Sequence, residues 1–270
     1  MRRIIHPTAI VSPKAEIDDD VSIGPYSIVG DRVHIGAGSV IGAYVHISDY
    51  VSLGRGCRCF DHVVLGMEPQ DLGFRGEESW VYVDDGATLR ENVTVHRASG
   101  EGNCTRIGSG AYLMEGVHVG HNVKVGPGVV VANKTGFSGY VEVGEKAVVS
   151  GLVGVHQFVR IGRFCMVGGL AKVIKDIPPY SLADGHPARI YGINVVGLKR
   201  NGFDGETRNH IAGLYRILYR SGLAMKEALR ELAARYPGDE FQEEITGFIT
   251  SSKRGVTPWG VSCERDGEDD

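Results

Sequence analysis

No stretch of the chain approaches the ~18 consecutive apolar residues that a helical bilayer span requires, so no membrane span is expected. Cysteine is scarce, with five residues at 57, 59, 104, 165 and 263. Their odd number and lack of C-x-x-C spacing give neither a disulfide framework nor a zinc ribbon, and a reducing compartment is the simpler reading. Net positive charge is missing too: the formal charge is −4 and the pI near 6.2. That argues against a nucleic-acid protein working by blanket neutralisation of phosphates. The opening Met1-Arg2-Arg3-Ile4-Ile5-His6-Pro7 has charge but no apolar h-region before Pro7, so no secretory leader is read there and a cytoplasmic location is expected.

Glycine is what the chain has in excess. Its 39 residues are about twice the ordinary share of ~7 %, and a repeat search shows where they go. Counting in sixes from Val11 reaches Ile17, Ile23, Val29, Ile35, Ile41, Ile47, Leu53, Cys59 and Leu65. The same phase resumes at Val83, Leu89 and Val95, then runs from Ile107 to Val173; only Asp71, Glu77 and Glu101 break it. A helix would repeat every 3.6 residues and a lone strand every 2, so a strict six describes a solenoid. Each hexapeptide forms one flat side with its aliphatic residue inward. The glycine that often follows, as at Gly24, Gly36, Gly42 and Gly54, is read as relaxing the backbone for a corner.

Three sides close a triangular coil of 18 residues, with coils stacked at the strand spacing of about 4.8 Å. The expected fold is thus an all-β solenoid, a parallel β-helix over residues 1–187, with loop excursions near 67–82 and 97–106. Loops held by a rigid scaffold often carry function. Asp176-Ile177-Pro178-Pro179-Tyr180 stops the coils, because proline lacks the N–H a further strand needs. An α-helical C-terminal domain is expected over 188–253. Asp204 caps a helix with Ile211, Leu214, Tyr215 and Leu218 on one face; Met225, Leu229, Leu232 and Ala233 mark a second, and Phe241, Ile245, Phe248 and Ile249 a third. Residues 254–270, with their acidic end, are expected to be a disordered tail.

Residues 18 apart should stack on the prism surface, which puts His121, Gly139 and Gln157 in one column. An imidazole, a backbone N–H and a carboxamide in line are the parts of an acyl-transfer site: base, oxyanion donor and orienting group. His118 and His121 both fall outside the inward phase, as do His96 and His156, so all four are expected at the surface. Ordinary solvated histidines are the plain alternative. A zinc site is another, since His118-x-x-His121 resembles part of the three-histidine set of the gamma-class carbonic anhydrases, but no matching third spacing is present. A non-catalytic scaffold is a third reading.

Particular strings go further than the repeat. Gln70-Asp71-Leu72, Val95-His96-Arg97, Val155-His156-Gln157-Phe158, Met166-Val167-Gly168-Gly169 and Gly197-Leu198-Lys199-Arg200-Asn201-Gly202-Phe203 occur in this order. With them, nearly the whole chain resembles the UDP-N-acetylglucosamine O-acyltransferases of lipid A synthesis. The related N-acyltransferases carry an extra domain before their coils, whereas here the coils begin by Val11.

The resemblance implies a left-handed β-helix and a homotrimer with sites between subunits. It implies acyl carrier protein and a UDP-sugar as partners, with no nucleic acid. It implies no cofactor of the protein's own, the (R)-3-hydroxyacyl donor being carried on the phosphopantetheine of acyl carrier protein, and no metal. His121 would be the general base at the sugar 3-position and the Gly139 N–H the oxyanion donor. Asp71, His96, His118, His156 and Gln157 would contact the sugar, Asn194 and Arg200 would lie near the nucleotide phosphates, and Gly169 would leave the acyl groove open for a long chain.

The basic residues Arg160, Arg163, Lys172, Lys175, Arg216 and Arg220 are read as the dock for the acidic carrier. Several positions depart from the family pattern. Asn122 stands where an acidic residue often backs the base, Tyr140 replaces a histidine, Gly73 a lysine, Val196 a glutamate and Asn201 an arginine. A 3-amino sugar acceptor, giving an amide, is therefore kept beside the 3-hydroxyl.

Overall fold

A computed structural model describes residues 3–260. Short parallel strands, most of them two residues long, fall into three sheets of 11, 9 and 8 strands, one for each side of a left-handed triangular prism. The first face includes Val40–Ile41, Val148–Val149 and Met166–Val167. The second includes His118–Val119, Gly136–Phe137 and Gly154–Val155. The third includes Lys124–Val125, Glu142–Val143 and Arg160–Ile161.

Register explains why the period survives its interruptions. Val40 pairs with Arg58, 18 residues on, but Arg58 pairs with Thr88 and Thr88 with Tyr112, 30 and 24 residues on. The two loops therefore add 12 and 6 residues to their coils, whole numbers of hexapeptides, and the inward phase returns unchanged. The excursions are shorter than expected. Strands end at Met67 and resume at Trp80, then end at His96 and resume at Cys104, because a strand takes in residues ahead of its inward one.

Two columns point inward, not one. The predicted inward residues from Ile17 on are buried, and so are many of the residues two before them, such as Val45, Val63, Val93, Val117, Val129 and Val153; Val11, at the end of the prism, is half-buried. At ~1.5–3 kcal/mol for each fully buried Val, Leu or Ile, this paired column is the main source of stability. Hydroxyls enter it only where they serve the main chain. The Ser27 hydroxyl donates to Gly42 O (2.8 Å) and accepts from the Val45 N–H (3.0 Å), and Thr135 does the same with Ser150 O and the Val153 N–H; a buried polar group paired in this way carries little penalty.

The corner glycines have a different cause from the expected one. A Cβ on Gly24 would sit 2.5 Å from Gly42 O, and one on Gly36 2.5 Å from the Gly54 carbonyl carbon, so what excludes a side chain there is the approach of the next coil. The left-handed backbone falls two residues later, where Tyr26, Tyr44, Asn122, Tyr140 and Phe158 all have φ between 55° and 65°. That is the third position of a type II turn; glycine holds it at Gly38, Gly56, Gly86, Gly110, Gly116 and Gly128, and non-glycine residues hold it at most other turns.

The end of the prism is more extended than anticipated. Arg189–Ile193 is a strand that runs antiparallel to Ser181–Asp184, so sheet structure passes the boundary placed at residue 187. Four helices follow: α1 (Val195–Arg200), α2 (Gly205–Arg220), α3 (Met225–Arg235) and α4 (Glu240–Thr250). Asp204 caps α2 through the Thr207 N–H, and the buried residues of α2 are the four predicted ones. In α3 the buried pair is Ala228 and Leu232, while Ala233 is exposed.

Two arginines of the last coils hold α4. Arg160 meets buried Asp176 at 2.9 Å and donates to Phe248 O, and Arg163 meets Glu244 at 2.6 Å. The expectation of disorder from 254 onward is corrected over 254–260. Val256 bridges Asp176 and Trp259 bridges Ile190, because Trp259 finds Tyr219 to pack on, 5.4 Å between ring centroids. The rest of the expected tail, 261–270, lies outside the described residues.

Candidate active site

The column of residues 18 apart is present. Tyr140 N–H donates to His121 O and Phe158 N–H to Gly139 O, which stacks the turns carrying His121, Gly139 and Gln157 along the corner between the second and third faces. Gly139 lies directly against the imidazole: a Cβ there would be 2.5 Å from both Cε1 and Nε2 of His121. Only glycine fits. Among the described residues the Gly139 N–H makes no hydrogen bond, although the residue is buried. Tyr140 stands edge-on to the imidazole at 5.2 Å and stacks on Phe158 at 4.9 Å, closing the ring in from the third-face side.

Asn122 backs the imidazole, its Oδ1 2.9 Å from His121 Nδ1. The same carboxamide reaches loop 97–103, where Asn122 Oδ1 accepts from the Ser99 N–H (2.9 Å) and Nδ2 donates to Ser99 O (3.1 Å). The Asn122 N–H donates to Thr105 Oγ1 (2.9 Å).

An open cleft of about 530 Å³ lies on the second face, lined among others by Gln70, His96, His118, His121, His156 and Gln157. His118 and His96 meet edge to face at 5.1 Å, and His118 Nδ1 lies 2.8 Å from Thr94 Oγ1. Both imidazoles are held below the usual histidine value, chiefly by burial, so they enter the cleft neutral at neutral pH. Asp71, in the first loop, is held below the ordinary carboxylate range chiefly by the Gly73 N–H, which donates to its Oδ1 at 2.9 Å. His156 is exposed, its Nδ1 3.2 Å from the Arg254 guanidinium; Arg254 belongs to the segment expected to be disordered, and its sequence offered no sign of this contact.

The floor of the cleft is unusual. Outward slots on the second face hold His118, Gly136, Gly154 and Lys172 in register, and a Cβ on either glycine would meet nothing within 4 Å. Glycine weakens a strand, so its presence without a steric reason inside the chain indicates space kept for something outside it. A second groove, about 740 Å³, lies across the corner and is lined by Asn122, Lys124, Tyr140, Phe158 and Arg254 among others.

One chain does not bring every predicted residue together. Asn194 is buried at the opposite corner, where its side chain accepts from the Gly197 N–H and donates to Phe164 O; Arg200 ends the short helix that Asn194 caps. Gly169 lies at the third corner, between Met166–Val167 and Lys172–Val173, where a Cβ would have only ordinary contacts. Among the described residues no group of three or more His, Cys, Asp or Glu is placed to hold a metal ion, so the His118-x-x-His121 spacing finds no further ligands. Arg160 and Arg163 leave the predicted basic dock, because Asp176 and Glu244 already hold them.

Comparison with known proteins follows the same line. Residues 176–257 match the family described as Udp N-acetylglucosamine O-acyltransferase, domain 2, and residues 102–136 the bacterial transferase hexapeptide (six repeats). The acyl-[acyl-carrier-protein]–UDP-N-acetylglucosamine O-acyltransferase of a Sulfurihydrogenibium species is 53 % identical over 94 % of this chain and 94 % of its own. That of Thermodesulfovibrio yellowstonii is 43 % identical over 93 % and 98 %. The crystal structure of the UDP-N-acetylglucosamine acyltransferase of Bacteroides fragilis superposes with a TM-score of 0.91 at 39 % identity, covering 94 % of this chain and 99 % of that one.

Proposed function

The chain belongs to the UDP-N-acetylglucosamine O-acyltransferase family, and from that premise we propose that His121 is the base with which it moves an (R)-3-hydroxyacyl chain from acyl carrier protein to the glucosamine 3-position. The protein is an acyl-carrier-protein-dependent acyltransferase of lipid A synthesis. The observation that carries the assignment within it is the fit of Gly139 beneath the imidazole, 2.5 Å from where a Cβ would be.

In this reading His121 Nε2 takes the proton of the sugar hydroxyl as its oxygen attacks the thioester carbonyl. The C–O bond forms, the Gly139 N–H receives the developing oxyanion, the C–S bond breaks, and the imidazolium returns the proton to the departing thiolate. Neutral His96 and His118, with Asp71 and Gln157, hold the sugar. The phosphopantetheine thioester supplies the acyl group, and the protein supplies only the base and donors.

The scatter of Asn194, Arg200 and Gly169 over the other two corners supports a site completed by neighbouring copies. The first face presents Val130, Val148 and Met166 outward, an apolar strip that matches the glycine floor of the second. Three prisms about an axis would bring such faces together three times. The carrier dock then rests on Lys172, Lys175, Arg216 and Arg220, all exposed. The four described cysteines are free, in keeping with a cytoplasmic enzyme.

Mass spectrometry of the purified protein with hydroxyacyl-loaded carrier and two UDP-sugars, one with a 3-hydroxyl and one with a 3-amine, tests the reading. Ester product from UDP-N-acetylglucosamine is expected; amide product alone would change the acceptor, and no product from either sugar would remove the base assignment.

A further inference from the structure

We infer that the main chain of Ser99, acting through the Asn122 carboxamide, fixes the tautomer of His121, so that loop 97–103 is a positioning device for the base. The inference deepens the reading of His121 as base and rests on it. Asn122 is 8 % exposed and Ser99 7 %, so water does not compete for the bonds between them. The carboxamide faces both a donor and an acceptor of one residue. Its Oδ1 takes the Ser99 N–H at 2.9 Å, and its Nδ2 gives to Ser99 O at 3.1 Å.

A flipped amide would set NH2 against N–H and oxygen against oxygen, losing both bonds and adding two repulsions. The orientation is therefore determined, and with it the atom presented to His121, which is Oδ1 at 2.9 Å from Nδ1. An amide oxygen carries no proton, so Nδ1 must donate. The neutral imidazole then holds its lone pair on Nε2, the atom next to Gly139 and the one proton transfer needs. Thr105 Oγ1, accepting the Asn122 N–H at 2.9 Å, pins the residue from the strand that follows the loop. Asn122 itself has φ of 60°, a conformation asparagine tolerates better than most residues.

This clamp is neutral. A carboxylate in the same place would also accept from Nδ1, but it would stabilise the imidazolium as well; the carboxamide selects the tautomer without that charge. Asp71 from the first loop, His96 from the neighbouring strand and Tyr140 from the next coil also lie near the imidazole, and Gln70, Ser138 and Gln157 line the same cleft. None of them is placed to choose between the ring nitrogens as Asn122 is.

Two substitutions compatible with the positive φ separate the possibilities. In 15N-histidine-labelled protein, with His121 identified by its loss in His121→Gln, one-bond 15N–1H coupling reports which nitrogen is protonated. The proton is expected on Nδ1 in the wild type. In Asn122→Gly it should pass in part to Nε2, with kcat down by at least about tenfold and KM for the sugar changed little.

In Asn122→Asp the proton should stay on Nδ1 and turnover persist, with the acidic limb of kcat/KM moved to higher pH. A wild-type proton on Nε2, or an Asn122→Gly variant with unchanged coupling and kcat, overturns the clamp. The coupling does not depend on turnover: a His121→Ala protein that still transfers acyl chains would remove the base assignment, while an Nδ1 proton lost in Asn122→Gly would still support the clamp.

Discussion

The second and third faces of the prism share one backbone, one register and one core, yet their outward slots differ completely. On the third face Lys124 faces Glu142 and Arg106 faces Asp84, at 3.5 and 2.8 Å, so charges answer one another within the chain and nothing outside is needed. On the second, the same slots carry His118, Gly136 and Gly154. Two of these are glycines with open space above them, and the histidine is half-buried beside another. A face whose charges pair within the chain is a wall, whereas Gly136 and Gly154 leave open space beside His118.

The contrast is most directly broken at His121. His121→Ala should lower turnover by at least ~10²–10⁴-fold, the range of a general base, with circular dichroism and melting unchanged; normal turnover would reduce the second face to scaffold. Gly139→Ala comes next. Its methyl would displace the imidazole, so activity should fall by about 10²-fold, the scale of a misplaced catalytic group, with little change in melting because His121 lies at a turn on the surface.

Gly154→Val sharpens the comparison. Stability should hold or rise by up to ~1 kcal/mol on β propensity, while kcat/KM falls; loss of stability instead would show that the slot is not open. The neutral histidines make a pH prediction. Because burial lowers the folded-state pKa of His96 and His118, the unfolded chain binds protons first, and stability should decline as pH falls through ~6.5. His118→Gln should flatten that decline in a melting series. Smallest of all, Lys124→Ala on the third face should change stability by less than ~1 kcal/mol, as exposed ion pairs do, and leave turnover alone.

Much of this was open to reading from residues. The period of six marks every strand from Ile10–Val11 to Lys172–Val173 but not Ser181–Asp184 or Arg189–Ile193, and the step of 18 brings His121, Gly139 and Gln157 into line. Two features escaped because they depend on contacts between coils. The second inward column, Val45, Val63 and their like, is apolar at the same period but was hidden by the stronger first column. Glycine at 24 and 36 suggests backbone freedom in sequence, while the approach of the next coil imposes it. Arg160 and Arg163 read as a basic patch, since a sequence shows charge but not the partner that cancels it. Val256 and Trp259 read as tail because their contacts lie on a strand and a helix far back in the chain.

The amino-acid order alone determined the solenoid, its three sides and the column of His121, Gly139 and Gln157, because stacking at constant spacing turns a period along the chain into a line in space. It could not determine which way the Asn122 amide points, which faces are bare, or which charges are paired. Those depend on residues from different loops and coils meeting within hydrogen-bonding distance, and no local periodicity carries that information.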